Sequence, residues 1–326
     1  IFVPARTKTE EQTIIDIHSI YHKLLGNGIS VVHQNIAQTF SLEENDIPPF
    51  YEGKVISWKE LSIDIEVHRN KYNGFLDKIK GHLATSKKSI KYELLHRPGA
   101  GGTSLSRQLA YDLRKEFPVI IISHFNKIAT SRELLLLIDH VNKPILAIVE
   151  ASDIGVNDVD ELIRICNSSK KTVIFVYVRR VLRRSKDTDL ITYISDTMAD
   201  IDEKEKFVNK TKLYAKNKNV VSSFAGLPIT ACEVIDFSLA IAEADYNKEK
   251  LKEYIRSYIM NDKMPESHVQ FITYVSIIYY YSQKKVSEYL MRSLFKKNLS
   301  DDLKQIRQPE QFIRKILIQE TAQDGQ

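Results

Sequence analysis

Short apolar runs alternate with helix-length amphipathic stretches in the middle of the chain. A continuous apolar run bounded by polar residues favours a strand that is buried on both faces, whereas apolar positions repeating every three or four residues favour a helix. The predicted strands are 90–95, 119–123, 145–149 and 172–178, and the predicted helices between them are 104–117, 131–141 and 156–167. This alternation predicts an α/β fold, in which helices cover both faces of a parallel sheet.

The pattern differs on either side of this region. Upstream, helical spacing predicts helices over 11–25 and 71–83, and the capping-box spacing of Ser57 and Glu60 predicts a short helix from Trp58. Downstream of Asp200 the predicted helices are 203–216, 231–244, 248–260, 267–282 and 286–297, and 312–318 fits a strand or a helix end. We expect a mixed segment or linker over 1–56, an α/β domain over 57–200, and a helical domain over 201–326, with a winged-helix-like fold as one option.

Composition narrows the functional classes. With 43% hydrophobic and 27% charged residues among 326, the chain has the balance of an ordinary folded protein. Its apolar runs are too short to span a bilayer, so we expect no membrane partner. The two cysteines, Cys166 and Cys232, exclude a disulfide scaffold and a four-cysteine zinc site, which makes the cytoplasm the default compartment. A net charge of +5 is too diffuse to establish nucleic-acid binding. Because the chain starts at Ile1 and stops in a polar tail, we interpret it as an internal piece of a longer polypeptide.

A glycine-rich loop between the first predicted strand and its helix is the sharpest motif. Strand, glycine-rich loop and helix is the context in which main-chain N–H groups bind phosphate. Compared with the P-loop pattern G-x-x-x-x-G-K-[ST], Gly101 fits the last glycine and Thr103 fits the magnesium ligand, but Gly102 replaces the lysine and His96 the first glycine. The candidate phosphate-binding residues are Pro98, Gly99, Ala100, Gly101, Gly102, Thr103 and Ser104. The alternative is a strand-to-helix turn that binds no ligand.

A carboxylate follows the predicted strand 145–149. An acid in this position, Glu150 here, is typical of a Walker B element and predicts a magnesium site shared with Thr103. The neighbouring position, where hydrolysing proteins keep a catalytic Glu, is Ala151, and Asp153 is the remaining candidate acid. We therefore expect slow ATP hydrolysis. The alternative is that Asp153 caps a helix and Glu150 is solvated.

Two arginines close the last predicted strand. Arg179 and Arg180 stand where a side chain of the next strand can reach a terminal phosphate, and one of them could replace the charge missing at Gly102. We assign Arg179 as the sensor of the terminal phosphate and Arg180 to nucleotide binding. The alternative is a surface pair.

Together these elements resemble a STAND-type P-loop ATPase, the signal-transducing branch of that class. The lysine-less loop, the run 149–153 and the strand end 177–180 are similar to a subgroup found in bacterial antiphage proteins with a sirtuin-like domain and in vertebrate antiviral proteins with a sterile alpha motif. Of the apolar–apolar–Gly–Arg–Glu element found upstream of the loop in that class, the segment 67–70 retains only the arginine, Arg69, and 225–228 resembles the G-x-P element of the helical domain. The resemblance covers 58–295, and Gly102 and Ala151 depart from the wider class.

The resemblance implies a nucleotide-gated oligomerisation switch in an antiviral defence protein. ATP or ADP with Mg²⁺ would lie between the sheet and the helical region, with Arg69 at the nucleotide edge, and hydrolysis would be slow or absent. It also implies a homo-oligomer with an effector domain upstream, a sensor region downstream and a viral trigger. Two other classes stay open: an assembly scaffold that binds no nucleotide, and a nucleic-acid-binding module that uses lysine-rich helical surfaces.

Overall fold

A six-stranded sheet is the centre of the computed structural model, which describes residues 28–32, 48–52, 55–141, 143–150, 154–170, 172–181, 185–215, 218–242 and 273. The strands are β1 (Ile29–Val32), β2 (Ile90–His96), β3 (Val119–Ile122), β4 (Ile145–Val149), β5 (Val173–Arg180) and β6 (Ile191–Ile194). Their order is β1-β3-β4-β5-β2-β6, and only the edge strand β1 is antiparallel to its neighbour. The four predicted strands are confirmed, while β1 and β6 were not predicted.

Eight α-helices are described. They are α1 (Trp58–Ser62), α2 (Tyr72–Thr85), α3 (Gly102–Leu113), α4 (Lys127–His140), α5 (Val156–Ser168), α6 (Ile201–Tyr214), α7 (Lys218–Ala225) and α8 (Val234–Ala242). The capping box that predicted α1 is confirmed, because the Ser57 side chain accepts from the Glu60 N–H and the Glu60 carboxylate accepts from the Ser57 N–H. Helix α7 was not predicted. The predicted helices over 11–25, 248–260, 267–282 and 286–297, and the segment 312–318, lie outside the described residues, apart from Thr273.

Both faces of the sheet are covered by helices. Helices α2 and α3 pack on one face, where Phe75 and Leu109 contact β2 and its neighbours, and α4 and α5 pack on the other, where Leu134 and Leu162 are buried. The central strand β4 is buried along its whole length, as its continuous apolar sequence requires. The predicted fold class is therefore confirmed as a mostly parallel α/β sheet with helices on both faces.

A third apolar cluster lies beside the sheet. It joins the segment before α2 to α6, α7 and α8, and its aromatic centre is Phe207, Phe224 and Phe237, whose rings lie 5.1–5.4 Å apart. The described residues from 28 to 242 belong to one compact unit, which contains this cluster and the sheet. The predicted domain boundaries after residues 56 and 200 stay predictions. Within the described part of the chain, no helix is long and apolar enough to cross a membrane.

A buried carboxyl lies in the segment between α1 and α2. Glu66 is 8% exposed, and among the described residues its Oε2 atom has no hydrogen-bond partner. Burial, with smaller contributions from the nearby carboxylates of Asp64 and Asp112, raises the pKa of Glu66 to about 8. The protonated, uncharged form is therefore the one that the fold accommodates.

This raised pKa predicts a pH-dependent stability. An unfolded chain releases the Glu66 proton near the ordinary carboxyl pKa of 4.5, whereas the folded chain keeps it up to about 8. The stabilisation is thus complete below the unfolded pKa and is lost as the pH rises towards 8. We expect Glu66→Gln to remove this part of the pH dependence, measured as the free energy of unfolding in urea across that range.

The matched control is Glu205→Gln, which changes an exposed carboxylate of α6. It should leave the pH dependence as in the wild type. An identical decline of stability with pH in Glu66→Gln and the wild type would contradict the assignment.

Candidate functional site

The glycine-rich loop joins β2 to α3 at the carboxyl edge of the sheet. Gly99 and Gly101 have φ angles of 72° and 82°, a left-handed conformation that favours glycine, and Gly101 is the N-cap of α3. Ala100 is buried between them, and its N–H donates to the Arg97 carbonyl at 3.1 Å. The first N–H groups of α3 have no acceptor within the helix, so they and the helix dipole create a favourable place for an anion. The sequence predicted this loop and its glycines.

His96 and Gly102, the two departures from the P-loop pattern, lie against each other. A Cβ atom at Gly102 would be 2.3 Å from two ring carbons of His96, so the imidazole fills the space that a side chain at position 102 would need. The φ angle of Gly102 is not in the left-handed region, and the obstacle to lysine at this position is therefore steric. The sequence analysis treated the missing first glycine and the missing lysine as two independent departures from the P-loop pattern.

The imidazole of His96 is held in a neutral form. Burial lowers its pKa, and the positive charge of Arg180 adds to this effect, whereas the hydrogen bond to the Arg97 carbonyl opposes it. That bond joins Nδ1 to the carbonyl oxygen at 2.9 Å, so Nδ1 carries the proton and donates. The Nε2 atom of the neutral ring is consequently an acceptor. His96 thus does not supply the positive charge of the missing lysine.

Arg179 and Arg180 point to opposite faces of the sheet. Arg180 lies on the α3 face, with its charge near His96, and among the described residues its buried Nε has no hydrogen-bond partner. Arg179 lies on the α5 face, where its Nη2 is 3.7 Å from Glu93 Oε2 and its guanidinium stands 5.8 Å from the Tyr177 ring centroid. The structure therefore brings Arg180 to the loop and directs Arg179 away from it.

The carboxylate of Glu150 is occupied by an arginine. Arg107 of α3 donates from Nη2 to Glu150 Oε2 at 3.1 Å and from Nε to both oxygens at 3.3 and 3.4 Å, and Ser106 Oγ donates to Oε1 at 3.1 Å. Mg²⁺ needs open oxygen ligands in a near-octahedral arrangement. A guanidinium that already pairs with both oxygens does not fit the predicted magnesium site of Glu150 and Thr103. Ala151 and Asp153 lie outside the described residues.

Arg69 links the loop to the helical region. Its side chain is 8% exposed and donates to the Ala100 carbonyl at 3.0 Å, to the carbonyls of Ser195 and Thr197 at 3.1 and 2.9 Å, and to Glu203 Oε1 of α6 at 2.9 Å. Four of its five N–H groups are thus used within the protein. Arg69 thus holds the main chain of the loop through the Ala100 carbonyl, and its predicted place near the nucleotide edge stays a prediction.

Helix α6 also holds the predicted G-x-P element. The ammonium group of Lys204 donates to the carbonyls of Ala225 and Leu227, both at 2.7 Å, where α7 ends. Sequence reasoning missed Arg107, Glu203 and Lys204, because each acts through a partner that is distant in the chain. The sequence contains one local indication that Arg107 belongs to the site: it is four residues after Thr103, which places both residues on one face of α3.

Comparisons with known proteins give structural likenesses of low similarity. No protein-family model matches the chain, and neither does any curated protein. C. elegans PCH-2 is similar at 10% identity and a TM-score of 0.35, with 76% of this chain and 72% of that chain covered. AMPPCP-bound DnaA from Aquifex aeolicus is similar at 12% identity and a TM-score of 0.34, covering 84% and 88%. A DNA replication initiation factor is similar at 12% identity and a TM-score of 0.33, covering 80% and 96%. The fold assignment rests on strand order and connectivity.

The contact between positions 96 and 102 predicts that their substitutions are coupled. Gly102→Lys alone should destabilise the fold, because its Cβ meets the His96 ring, and His96→Gly alone should leave a void. The double variant removes the clash and fills the void. We expect a coupling of at least about 1 kcal/mol in favour of the double variant, measured by unfolding of all four proteins. Additive losses would contradict the steric explanation.

Proposed function

We propose that this chain is a nucleotide-binding module that binds ATP or ADP at the loop between β2 and α3. The observation that carries the proposal is the loop geometry: two left-handed glycines lead into the first N–H groups of α3 at the carboxyl edge of the sheet, between the ends of β5 and β6. Ligands of open α/β sheets bind at this edge, and helix N-termini favour phosphate there. In the absence of a loop lysine, main-chain donors would supply most of the contacts.

Arg180 is the cation that we assign to the phosphates. It lies on the face of the sheet that carries α3, and its buried Nε has no hydrogen-bond partner among the described residues. A guanidinium near the loop would offset the charge lost at Gly102, because arginine recognises phosphate with several parallel donors. In this scheme Arg180 takes the sensor role that the sequence assigned to Arg179.

The contacts of Arg69 support a switch. The guanidinium of Arg69 binds both the Ala100 carbonyl of the loop and Glu203 of α6. A shift of the loop on nucleotide binding would therefore also displace α6. A ligand can move such an equilibrium only if it binds the two arrangements with different affinity. The resemblance to STAND-type proteins further supports an oligomerisation switch in antiviral defence, with an effector upstream and a sensor downstream. We expect slow hydrolysis, because Ala151 provides no carboxylate to activate water.

The first test replaces a loop glycine. Gly101→Val should abolish ATP and ADP binding, since valine does not tolerate the positive φ angle and its branches would cover the N–H groups of α3. Calorimetric titration with each nucleotide measures the loss. Gly81→Val is the matched control, because Gly81 lies in α2 with no atom within 4 Å of an added Cβ.

The wild-type result separates the alternatives. Binding that survives in Gly101→Val would place the site elsewhere, and a wild-type chain that binds neither nucleotide would favour the scaffold. Circular dichroism of both variants shows whether the fold is kept.

The second test compares the two neighbouring arginines. Arg180→Ala should weaken ATP binding by about tenfold or more relative to ADP binding, since a hydrogen bond to a charged group contributes about 1.5–3 kcal/mol. Arg179→Ala should change the ratio of the two affinities little, because its side chain pairs with Glu93 on the other face. Competition binding of ATP against ADP gives both ratios. The reverse ranking would restore Arg179 as the sensor.

A further inference from the structure

Arg107 is fixed from several directions at the position next to Glu150. Besides the carboxylate, its Nη1 donates to the Ile56 carbonyl at 3.1 Å, and its guanidinium lies 5.8 Å from the ring centroid of Trp58. Ion pairing, a main-chain acceptor and an aromatic face together immobilise the group. Its orientation is thus built into the fold, because the acceptor and the ring both lie at or just before the start of α1, a separate element that packs against α3.

This guanidinium still has donors to offer. Arginine has five N–H groups, of which Glu150 and Ile56 use three, and no further acceptor is found for the other two in the described part of the chain. Helical side chains lean towards the N-terminus of their helix, and Thr103 is one turn before Arg107 on the same face. The side chain of Arg107 therefore leans towards the N-terminal end of α3, where a phosphate would bind.

A divalent cation would have to compete with this group. In P-loop sites the metal lies between a carboxylate and the phosphate oxygens, where it neutralises both. Here the carboxylate is only 10% exposed and already carries a matched positive charge. A cation beside the guanidinium would be repelled by its positive charge and would have to displace its hydrogen bonds to Glu150. Because the site is partly buried, breaking this ion pair costs free energy that water does not recover.

We propose that Arg107 takes the place of the divalent cation, so that ATP and ADP bind at this loop without magnesium. The guanidinium neutralises Glu150 and directs its two remaining N–H groups to the phosphates. This inference rests on the proposed nucleotide-binding function and specifies how the same site balances charge. In this proposal Glu150 positions Arg107 and is not a metal ligand.

Binding of ATP and ADP is measured by equilibrium dialysis in excess EDTA and in excess magnesium. For the wild type we expect dissociation constants that differ by less than about threefold between the two buffers. Trp58 is the only tryptophan of the chain, and its contact with Arg107 makes its fluorescence a second readout. Fluorescence should change on nucleotide addition in both buffers.

Variants of the pair give the decisive comparison. Arg107→Gln should lose at least about tenfold in affinity in EDTA, and magnesium should restore part of it because the freed carboxylate can then bind a metal. Arg132→Gln, which removes an exposed charge of α4, is the control and should behave as the wild type. The double variant Arg107→Gln with Glu150→Gln leaves no unpaired buried charge, and it should bind weakly in both buffers.

The outcomes are separable. Binding of the wild type only in magnesium would overturn this inference and leave the proposed function in place, as would wild-type affinity of Arg107→Gln in EDTA. Binding in neither buffer would overturn the proposed function and the inference with it. If Arg107→Gln does not fold, the double variant decides, since undiminished binding in EDTA contradicts the inference.

Discussion

The ion pair of Arg69 and Glu203 is the constraint on which the rest of the arrangement depends. Both side chains are almost fully buried, at 8% and 1% exposure, so each would carry a large desolvation cost without the other. Glu203 also accepts from the N–H groups of Asn70 and Ala199, and Arg69 satisfies three carbonyls. The network therefore fixes three parts of the chain relative to one another: the loop, the segment that follows β6, and helix α6. Loss of one partner of such a pair costs about 3–5 kcal/mol.

The charges around the loop are divided among groups with separate roles. Arg69 is used for internal support, Arg107 for Glu150, and Arg179 for Glu93 on the far face. Of these four, Arg180 lies near the loop with an Nε that has no hydrogen-bond partner among the described residues, and Arg107 keeps two N–H groups beyond those used by Glu150 and Ile56. A count of basic residues near the motif would have overstated the charge available to a phosphate, because a salt bridge balances the charge of a guanidinium even where, as in Arg107, some of its N–H groups stay free.

The sequence predicted the sheet well and the site in part. Strands such as β4 were predictable because burial on both faces demands an uninterrupted apolar run, and the loop glycines because only glycine adopts positive φ freely. The strands β1 and β6 are as short as β3, but Ser30 and Thr192 interrupt their apolar runs, so they lack the pattern that identified β3. The pairs Arg107–Glu150 and Arg69–Glu203 join residues 43 and 134 positions apart, so no local pattern could reveal them.

The contact between His96 and Gly102 also restricts the evolutionary paths open to this loop. A single mutation that restored lysine at position 102 would meet the imidazole, and one that restored glycine at position 96 would open a void in a buried part of the loop. Each first step towards the common P-loop pattern therefore passes through a less stable protein. A chain that carries both residues is therefore held at this pair by the stability of its fold, independently of what the loop binds.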